Sequence, residues 1–220
     1  MKNMPRLLLV EGLPKYEGIN EAEALATALR IMIKGYDRRT TKSLKIITHT
    51  ATNKEDFLKW LQHTTDFLHI SSHGKFENNH TTLYITNGGK VTAEDIKNLN
   101  IKAKVIFLNA CQVSRDDMAN AFLKAGNPKR RYYIAPRKDV PFDEAFIVAL
   151  LFYKRAFLDK RPKLFSAPKY VYNLKDIRTN YWAVEKDHKI VSYQPTRTVF
   201  GIIISFKEPR FIMVISHVKT

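Results

Sequence analysis

Hydrophobic and polar positions alternate along the first 160 residues with two different periods. Short apolar runs typical of buried strands lie at 6–10, 43–51, 67–75, 105–114 and 131–136. Segments with the apolar spacing of amphipathic or buried helices lie between and after them, at 20–34, 53–64, 115–126 and 141–160. Strands that alternate with helices predict a mostly parallel sheet with helices on both faces.

Residues 76–104 interrupt this alternation. Two short β runs flank Asn87, Gly88 and Gly89, a combination that favours a tight hairpin turn. The polar segment 93–100 then predicts a short helix. We therefore expect a hairpin and one helical turn between the third and fourth strands of the sheet.

The last 60 residues have a different pattern. They carry β-like runs separated by charged or turn-like stretches, at 169–174, 180–184, 198–206 and 210–218. We predict one α/β domain over residues 1–163 and a β-rich C-terminal extension over 164–220 that packs on the sheet or extends it.

Composition limits the class of protein. Hydrophobic residues make up 45% of the chain and charged residues 26%, as in ordinary globular proteins. The chain has one cysteine, which excludes an internal disulfide framework and a multi-cysteine zinc site. The start of the sequence does not resemble a signal peptide, and no apolar stretch reaches the roughly 20 residues that span a bilayer. We expect a cytoplasmic protein that does not associate with membranes.

The net charge of +16, from 37 Lys and Arg against 21 Asp and Glu, leaves nucleic acid as an alternative partner. The positive charges are spread along the whole chain, however, and no stripe of aromatic residues alternates with them, as single-strand binding would require. A basic nucleic-acid-binding protein is therefore an alternative that the pattern does not favour.

Two of the apolar runs end on side chains that can carry chemistry. The run "FLHISSHGK" delivers His73 and Gly74, and the run "VIFLNACQVS" delivers Cys111. If these runs are neighbouring parallel strands, the imidazole and the thiol meet at the carboxyl edge of the sheet, where ligands of such sheets bind.

This pair fits nucleophilic catalysis. A nearby imidazole or a helix N-terminus lowers the pKa of a thiol, and Cys111 is predicted to have both, since a helix follows it. His73 would then act as general base and later protonate a leaving amine. The backbone N–H groups of Gly74 and Cys111 are candidate oxyanion donors.

Each residue also has an ordinary structural interpretation. A lone cysteine in an apolar strand is commonly a small buried hydrophobic residue, and a lone histidine at a strand end is commonly structural. For His69, four residues before His73 and predicted to lie on the same strand face, a hydrogen-bonded core position is the better interpretation. The joint placement of His73 and Cys111 is what favours a site.

The two segments resemble the caspase-like cysteine peptidases, a group that includes caspases, metacaspases, separases, gingipains and bacterial CHAT proteins. "LHISSHG" and "VIFLNACQVS" are most similar to the CHAT version of the His-Gly and Ala-Cys motifs. "YYIAPRKDVPFDEAFIVALLFYKRAF" also resembles the CHAT segment that follows the cysteine. The resemblance covers roughly residues 5–160 and implies a caspase-like three-layer α/β/α sandwich with a mostly parallel central sheet.

The resemblance implies that Cys111 is the nucleophile of a cysteine endopeptidase, that His73 is its acid/base and that Gly74 and Cys111 supply the oxyanion hole. The caspase pattern around the cysteine is Gln-Ala-Cys-[Arg/Gln/Gly]-Gly, whereas this chain has Asn109-Ala-Cys-Gln-Val. Cleavage after Asp is therefore not implied. Members outside the caspases often accept basic P1 residues in an acidic S1 pocket, for which Asp139 and Asp143 are the candidates.

The same resemblance sets expectations about regulation and partners. About 20 residues separate Cys111 from the fifth strand, so we expect no activating cleavage there. We expect a protein or peptide substrate, activation by a regulatory protein or ligand, a role in bacterial defence, and neither a cofactor nor a metal. The remaining alternative is a non-catalytic caspase-like module that binds a partner at this sheet edge.

Overall fold

The computed structural model describes residues 4–14, 20–35, 44–113, 116–126, 130–136 and 139–158, and the backbone of five later strands. The helices are α1 Glu21–Gly35, α2 Lys54–Leu61, α3 Ala93–Lys97, α4 Asp116–Lys124 and α5 Phe142–Tyr153, which continues as a π-turn over Lys154–Leu158. The strands are β1 Arg6–Glu11, β2 Lys45–Thr50, β3 Phe67–Ser71, β4 His73–Glu77, β5 His80–Ile85, β6 Gly89–Thr92, β7 Val105–Asn109, β8 Arg130–Pro136, β9 Ala183–Glu185, β10 Ile190–Val191, β11 Thr196–Val199, β12 Ile202–Ser205 and β13 Phe211–His217.

The central sheet has eight strands in the order β10-β9-β13-β8-β7-β3-β1-β2. Five strands of this sheet, β2, β1, β3, β7 and β8, run parallel to one another. β13 pairs antiparallel with β8, and β9 pairs parallel with β13. The mostly parallel sheet predicted from the alternating pattern is confirmed.

Helices cover both faces of this sheet. On β1, Leu8 and Val10 face a core cluster that includes residues of α2, α3 and α4. Leu7 and Leu9 face the other way, into a cluster that includes residues of α1 and α5. Strands buried on both faces explain the continuous apolar runs. The architecture is therefore the predicted three-layer α/β/α sandwich.

A small antiparallel unit of β4, β5 and β6 is inserted between β3 and β7. The predicted turn is present between β5 and β6, with Asn87 and Gly88 both at positive φ. Thr81 fixes the unit to α4, since its backbone N–H and its hydroxyl donate to the two carboxylate oxygens of Asp117, at 2.7 and 2.8 Å.

A guanidinium group is buried in the core and is held by backbone carbonyls. Arg131, at the start of β8, is fully buried. Its guanidinium donates to the backbone carbonyls of Ala103, Phe122, Ala125 and Ile101. Burial lowers the pKa of Arg131 to about 10. This side chain therefore joins β8 to the end of α4 and to the loop before β7.

The C-terminal strands lie beyond the α/β part of the chain. β13, β9 and β10 continue the large sheet past β8, and β11 and β12 form a separate antiparallel pair. The predicted β run at 169–174 lies outside the described residues. The division into residues 1–163 and 164–220 stays a prediction. Within the described residues, no helix has the length and apolar character needed to cross a bilayer.

Candidate active site

The register of β3 and β7 positions the two reactive residues. These neighbouring strands are parallel and end together, with Ser71 opposite Asn109. The backbone N–H of Ser72 donates to the carbonyl of Asn109 at 3.2 Å, which joins the two chain segments just past the strand ends. His73 and Cys111 each follow this registered pair by two residues. The structure thus brings both to the carboxyl edge of the sheet.

His73 differs in one respect from its prediction. The sequence predicts a single strand through residue 75, but β3 ends at Ser71 and His73 begins β4. The chain turns there because β4 leaves the large sheet and pairs with β5, where His73 is opposite Tyr84. The imidazole is exposed at this corner, whereas His69 is buried within β3, so the predicted shared strand face of the two histidines is wrong.

Gly74 lies directly against the cysteine turn. A Cβ atom built at Gly74 would lie 2.1 Å from the carbonyl oxygen of Cys111 and 2.6 Å from a methyl group of Val113. Carbon atoms do not approach backbone oxygens that closely, so only glycine fits at this position. The absence of a side chain at Gly74 is therefore needed for the contact between β4 and the Cys111 turn, and not only for the approach of a substrate to the Gly74 N–H.

The Cys111 thiol is half-buried and faces the segment after β8. Its Sγ donates to the carbonyl of Val140 at 3.8 Å. Burial raises the pKa of the thiol above its ordinary value of 9.0; the neighbouring Asp139 raises it further, and the hydrogen bond to Val140 opposes the rise. The predicted lowering of this pKa is wrong for this conformation, because desolvation and a nearby carboxylate both disfavour the thiolate.

The sequence also predicts that the N-terminus of the following helix lowers the pKa of the Cys111 thiol. α4 begins at Asp116, and residues 114 and 115 lie outside the described part of the chain. Burial of the sulfur is the largest influence on its pKa. The thiol is therefore protonated in this arrangement at neutral pH.

Gln112 is a site residue that the sequence analysis missed. Its backbone is left-handed, with φ of 57°, which is uncommon for a residue other than glycine. Its side-chain oxygen accepts from the backbone N–H of Phe76 at 3.2 Å, and its side-chain nitrogen donates to Asp139 at 2.9 Å. Gln112 therefore bridges β4 and the segment that precedes α5. The sequence signal nearest to it was Val113, which stands where the caspase pattern has a glycine.

The two predicted substrate-binding carboxylates lie in different places. Asp139 is exposed and contacts Gln112, next to the nucleophile. Asp143 is exposed in the first turn of α5, where the helix dipole stabilises a carboxylate. The structure brings Asp139 to the Cys111 turn, and the described contacts do not bring Asp143 there.

A buried polar network lies behind the site. His69 contacts Tyr153 through Nδ1 at 3.1 Å and Glu21 through Nε2 at 3.2 Å. Asn109 donates to the same Glu21 oxygen at 2.6 Å. The core role predicted for His69 is confirmed. The sequence analysis missed Glu21 and Asn109, which tie α1 to the end of the strand that precedes Cys111.

Glu11 adds a second buried carboxylate beside this network. It accepts from the backbone N–H groups of Leu13 and Ala22, at 3.2 and 2.9 Å. Burial raises its pKa to about 7, with a smaller contribution from Glu21. Within the described residues, no group of three or more His, Cys, Asp or Glu side chains is arranged to hold a metal ion.

Comparison with known families gives a match over the part of the chain that contains the His73 and Cys111 segments. The model of the CHAT domain matches residues 7–129, which is more than half of the chain. The chain belongs to the CHAT domain family. In this CHAT domain the matched region runs from β1 through α4, so that β8, Asp139 and Asp143 follow it.

Among solved structures, the Drosophila initiator caspase Dronc is similar with a TM-score of 0.45 and 14% sequence identity, over 77% of this chain and 74% of that chain. A search of curated proteins gave no match. Membership of the caspase-like superfamily, predicted from the two motifs, is confirmed by the CHAT match.

Proposed function

We propose that this CHAT domain is a cysteine endopeptidase in which Cys111 is the nucleophile and His73 the acid/base. The observation that carries the proposal is the contact between Gly74 and the Cys111 turn, at the shared edge of two registered parallel strands. That contact places the residue next to His73 against the backbone of the cysteine. Membership of a caspase-like family supports the same assignment.

The reaction follows from these groups. His73 removes the thiol proton, and the sulfur attacks the scissile carbonyl carbon. The carbonyl oxygen becomes an oxyanion, for which the N–H groups of Gly74 and Cys111 are the proposed donors. His73 then protonates the leaving amine as the C–N bond breaks and a thioester forms. Water, deprotonated by His73, cleaves the thioester and restores the thiol.

The proposed substrate side chain at P1 is Lys or Arg. Asp139 supports this because its exposed carboxylate lies within hydrogen-bond distance of the residue after the nucleophile. A carboxylate at that distance can receive an ammonium or guanidinium group. Asp143, in the first turn of α5, is the second candidate, and separate Asp139→Ala and Asp143→Ala variants distinguish the two.

The resting conformation supports control by a partner or ligand. The thiol is half-buried beside the Val140 carbonyl and near Asp139, and its burial and this carboxylate both raise its pKa. An activator that moves the Asp139–Val140 segment would expose the sulfur to His73. We propose activation of this kind for a protein that acts in the cytoplasm, in bacterial defence.

A non-catalytic interaction module is the second candidate, and one observation favours it. A thiol whose pKa is raised is a poor nucleophile, as expected for a caspase-like domain that only binds partners. The presence of both His73 and Cys111 favours the peptidase instead, because a module that only binds partners needs neither side chain. The two candidates differ in one measurable property, the dependence of peptide cleavage on these side chains.

The experiment is a proteome-wide search for new N-termini after the native chain is expressed in a bacterial host. Cys111→Ala and His73→Ala are expressed to the same level, and their thermal unfolding shows that they fold. The proposal expects cleavage after Lys or Arg that both variants abolish. Cleavage that persists in Cys111→Ala would contradict it, and retention of a bound protein by native chain and variants alike, without cleavage, would favour the interaction module.

A further inference from the structure

We propose that Gln112 is a specificity-determining residue. Its side-chain amide is hydrogen-bonded to Asp139 at rest, and a cationic substrate side chain must displace this amide before the Cys111 thiol is uncovered. This inference rests on the proposed function for its substrate, although its first test does not require catalysis. It assigns a role to a residue that neither motif of the site explains.

The geometry makes Gln112 a bridge across the site. Its amide nitrogen donates to Asp139 at 2.9 Å, and its amide oxygen accepts from Phe76 N–H at 3.2 Å. One end of the bridge is β4, the strand that begins with His73. The other end is the segment between β8 and α5. A single side chain thus connects the two walls on either side of Cys111.

The bridge holds a carbonyl over the thiol. Val140 follows Asp139 directly, and its carbonyl oxygen accepts the hydrogen bond from Cys111 Sγ. While Gln112 keeps Asp139 in place, the neighbouring Val140 carbonyl stays within hydrogen-bond distance of the thiol. Asp139 also raises the pKa of the thiol, so loss of its negative charge would favour the thiolate.

The amide of Gln112 is a replaceable partner for Asp139. It donates one hydrogen bond without a charge, whereas a guanidinium offers two parallel charge-assisted hydrogen bonds to a carboxylate. A Lys or Arg side chain can therefore displace the Gln112 amide from Asp139 more readily than a neutral side chain can. The left-handed backbone of Gln112 is costly for a residue other than glycine, and the two hydrogen bonds of its side chain help to hold it.

The first test measures alkylation of Cys111 by iodoacetamide at pH 7, followed by intact mass. Methylguanidinium, a small cation with no nucleophilic amine, should accelerate alkylation of the native chain at least fivefold over an equal concentration of tetramethylammonium. Gln112→Met keeps the length of the side chain but cannot donate to Asp139. It should be alkylated at least fivefold faster than the native chain without any added cation, and methylguanidinium should add little.

The matched control is Gln62→Ala. Gln62 is also a glutamine whose amide bridges two segments, from the end of α2 to Asn100. It lies at the amino edge of the sheet, since α2 runs from the end of β2 to the start of β3. Its alkylation should match that of the native chain with and without the cation. Equal rates for the native chain and Gln112→Met, or no effect of methylguanidinium on the native chain, would overturn the proposal.

The second test compares hydrolysis of two peptides that differ at P1, one with arginine and one with its neutral isostere citrulline. Gln112→Met should raise kcat/KM for the citrulline peptide and reduce the Arg-to-citrulline ratio at least tenfold. An unchanged ratio would overturn the proposal. If neither peptide is hydrolysed by any form, the proposed peptidase function fails, while the alkylation rates still decide whether Gln112 closes the site.

Discussion

Replacement of Gly74 by alanine should push the Cys111 turn away from β4. The added Cβ would lie 2.1 Å from the carbonyl oxygen of Cys111 and 2.6 Å from Val113. The nearer atom belongs to the backbone, so no side-chain rotation can relieve the overlap. Both segments are also held in place, by β4–β5 pairing on one side and the end of β7 on the other.

The size of the effect follows from this overlap. Overpacking in a close-packed site costs about 1–3 kcal/mol, and a collision of the new Cβ with a backbone oxygen should reach the upper end, about 3 kcal/mol of unfolding free energy. Relief requires a displacement of about 1 Å, which can reduce kcat/KM about 100-fold when it misplaces a reacting group. We therefore expect Gly74→Ala to be less stable and nearly inactive even under conditions in which it is fully folded.

The assay combines urea unfolding with peptide hydrolysis below the unfolding transition. The matched control is Gly35→Ala at the end of α1, where an added Cβ has no atom within 4 Å. That variant should unfold within about 0.5 kcal/mol of the native chain and keep its activity. A Gly74→Ala variant that is as stable and as active as Gly35→Ala would refute the contact between β4 and the Cys111 turn.

Three further predictions concern other parts of the molecule. The rise in the pKa of Glu11 from 4.5 to about 7 means that its stabilising contribution is full below pH 4.5 and is lost as the pH rises through 7. The unfolding free energy of the native chain minus that of Glu11→Gln should fall by roughly 3 kcal/mol from pH 4.5 to pH 8, and a difference that does not change with pH would contradict this. Arg131→Met leaves four buried carbonyls without their donor and should cost at least about 3 kcal/mol in urea unfolding, against about 0.5 kcal/mol or less for Arg30→Met in its exposed pair with Glu23; equal costs would argue against the buried guanidinium. The active form should be uncut within residues 112–131, and an active form that mass spectrometry shows to be cleaved there would contradict activation without processing.

Much of the fold follows from patterns that are local in sequence. The strands of the parallel sheet are continuous apolar runs because both of their faces are buried, as Leu7, Leu8, Leu9 and Val10 show on β1. The turn at Asn87 could be predicted because positive φ favours Asn and Gly, whatever the rest of the fold does. The sequence therefore predicts the elements and their layers well.

The break at Ser72 and the state of the thiol could not be predicted in this way. β3 ends there because the following residues pair with β5, a tertiary choice that the apolar pattern of 67–75 does not record. The pKa of Cys111 depends on its burial and then on Val140 and Asp139, which lie about 30 residues further along the chain. The same holds for Gln112, whose two partners are 36 and 27 residues away.

The most direct measurement of the central claim is covalent capture of Cys111 by a peptidyl arginine chloromethyl ketone, read by intact mass and peptide mapping. A peptidase that uses this thiol and His73 should form one adduct, on Cys111, much faster than with free chloroacetamide. His73→Ala should lose most of that rate advantage, and Cys111→Ala should form no adduct. Equal rates for the native chain and His73→Ala, or no preference for the peptidyl reagent, would contradict the joint action of the imidazole and the sulfur.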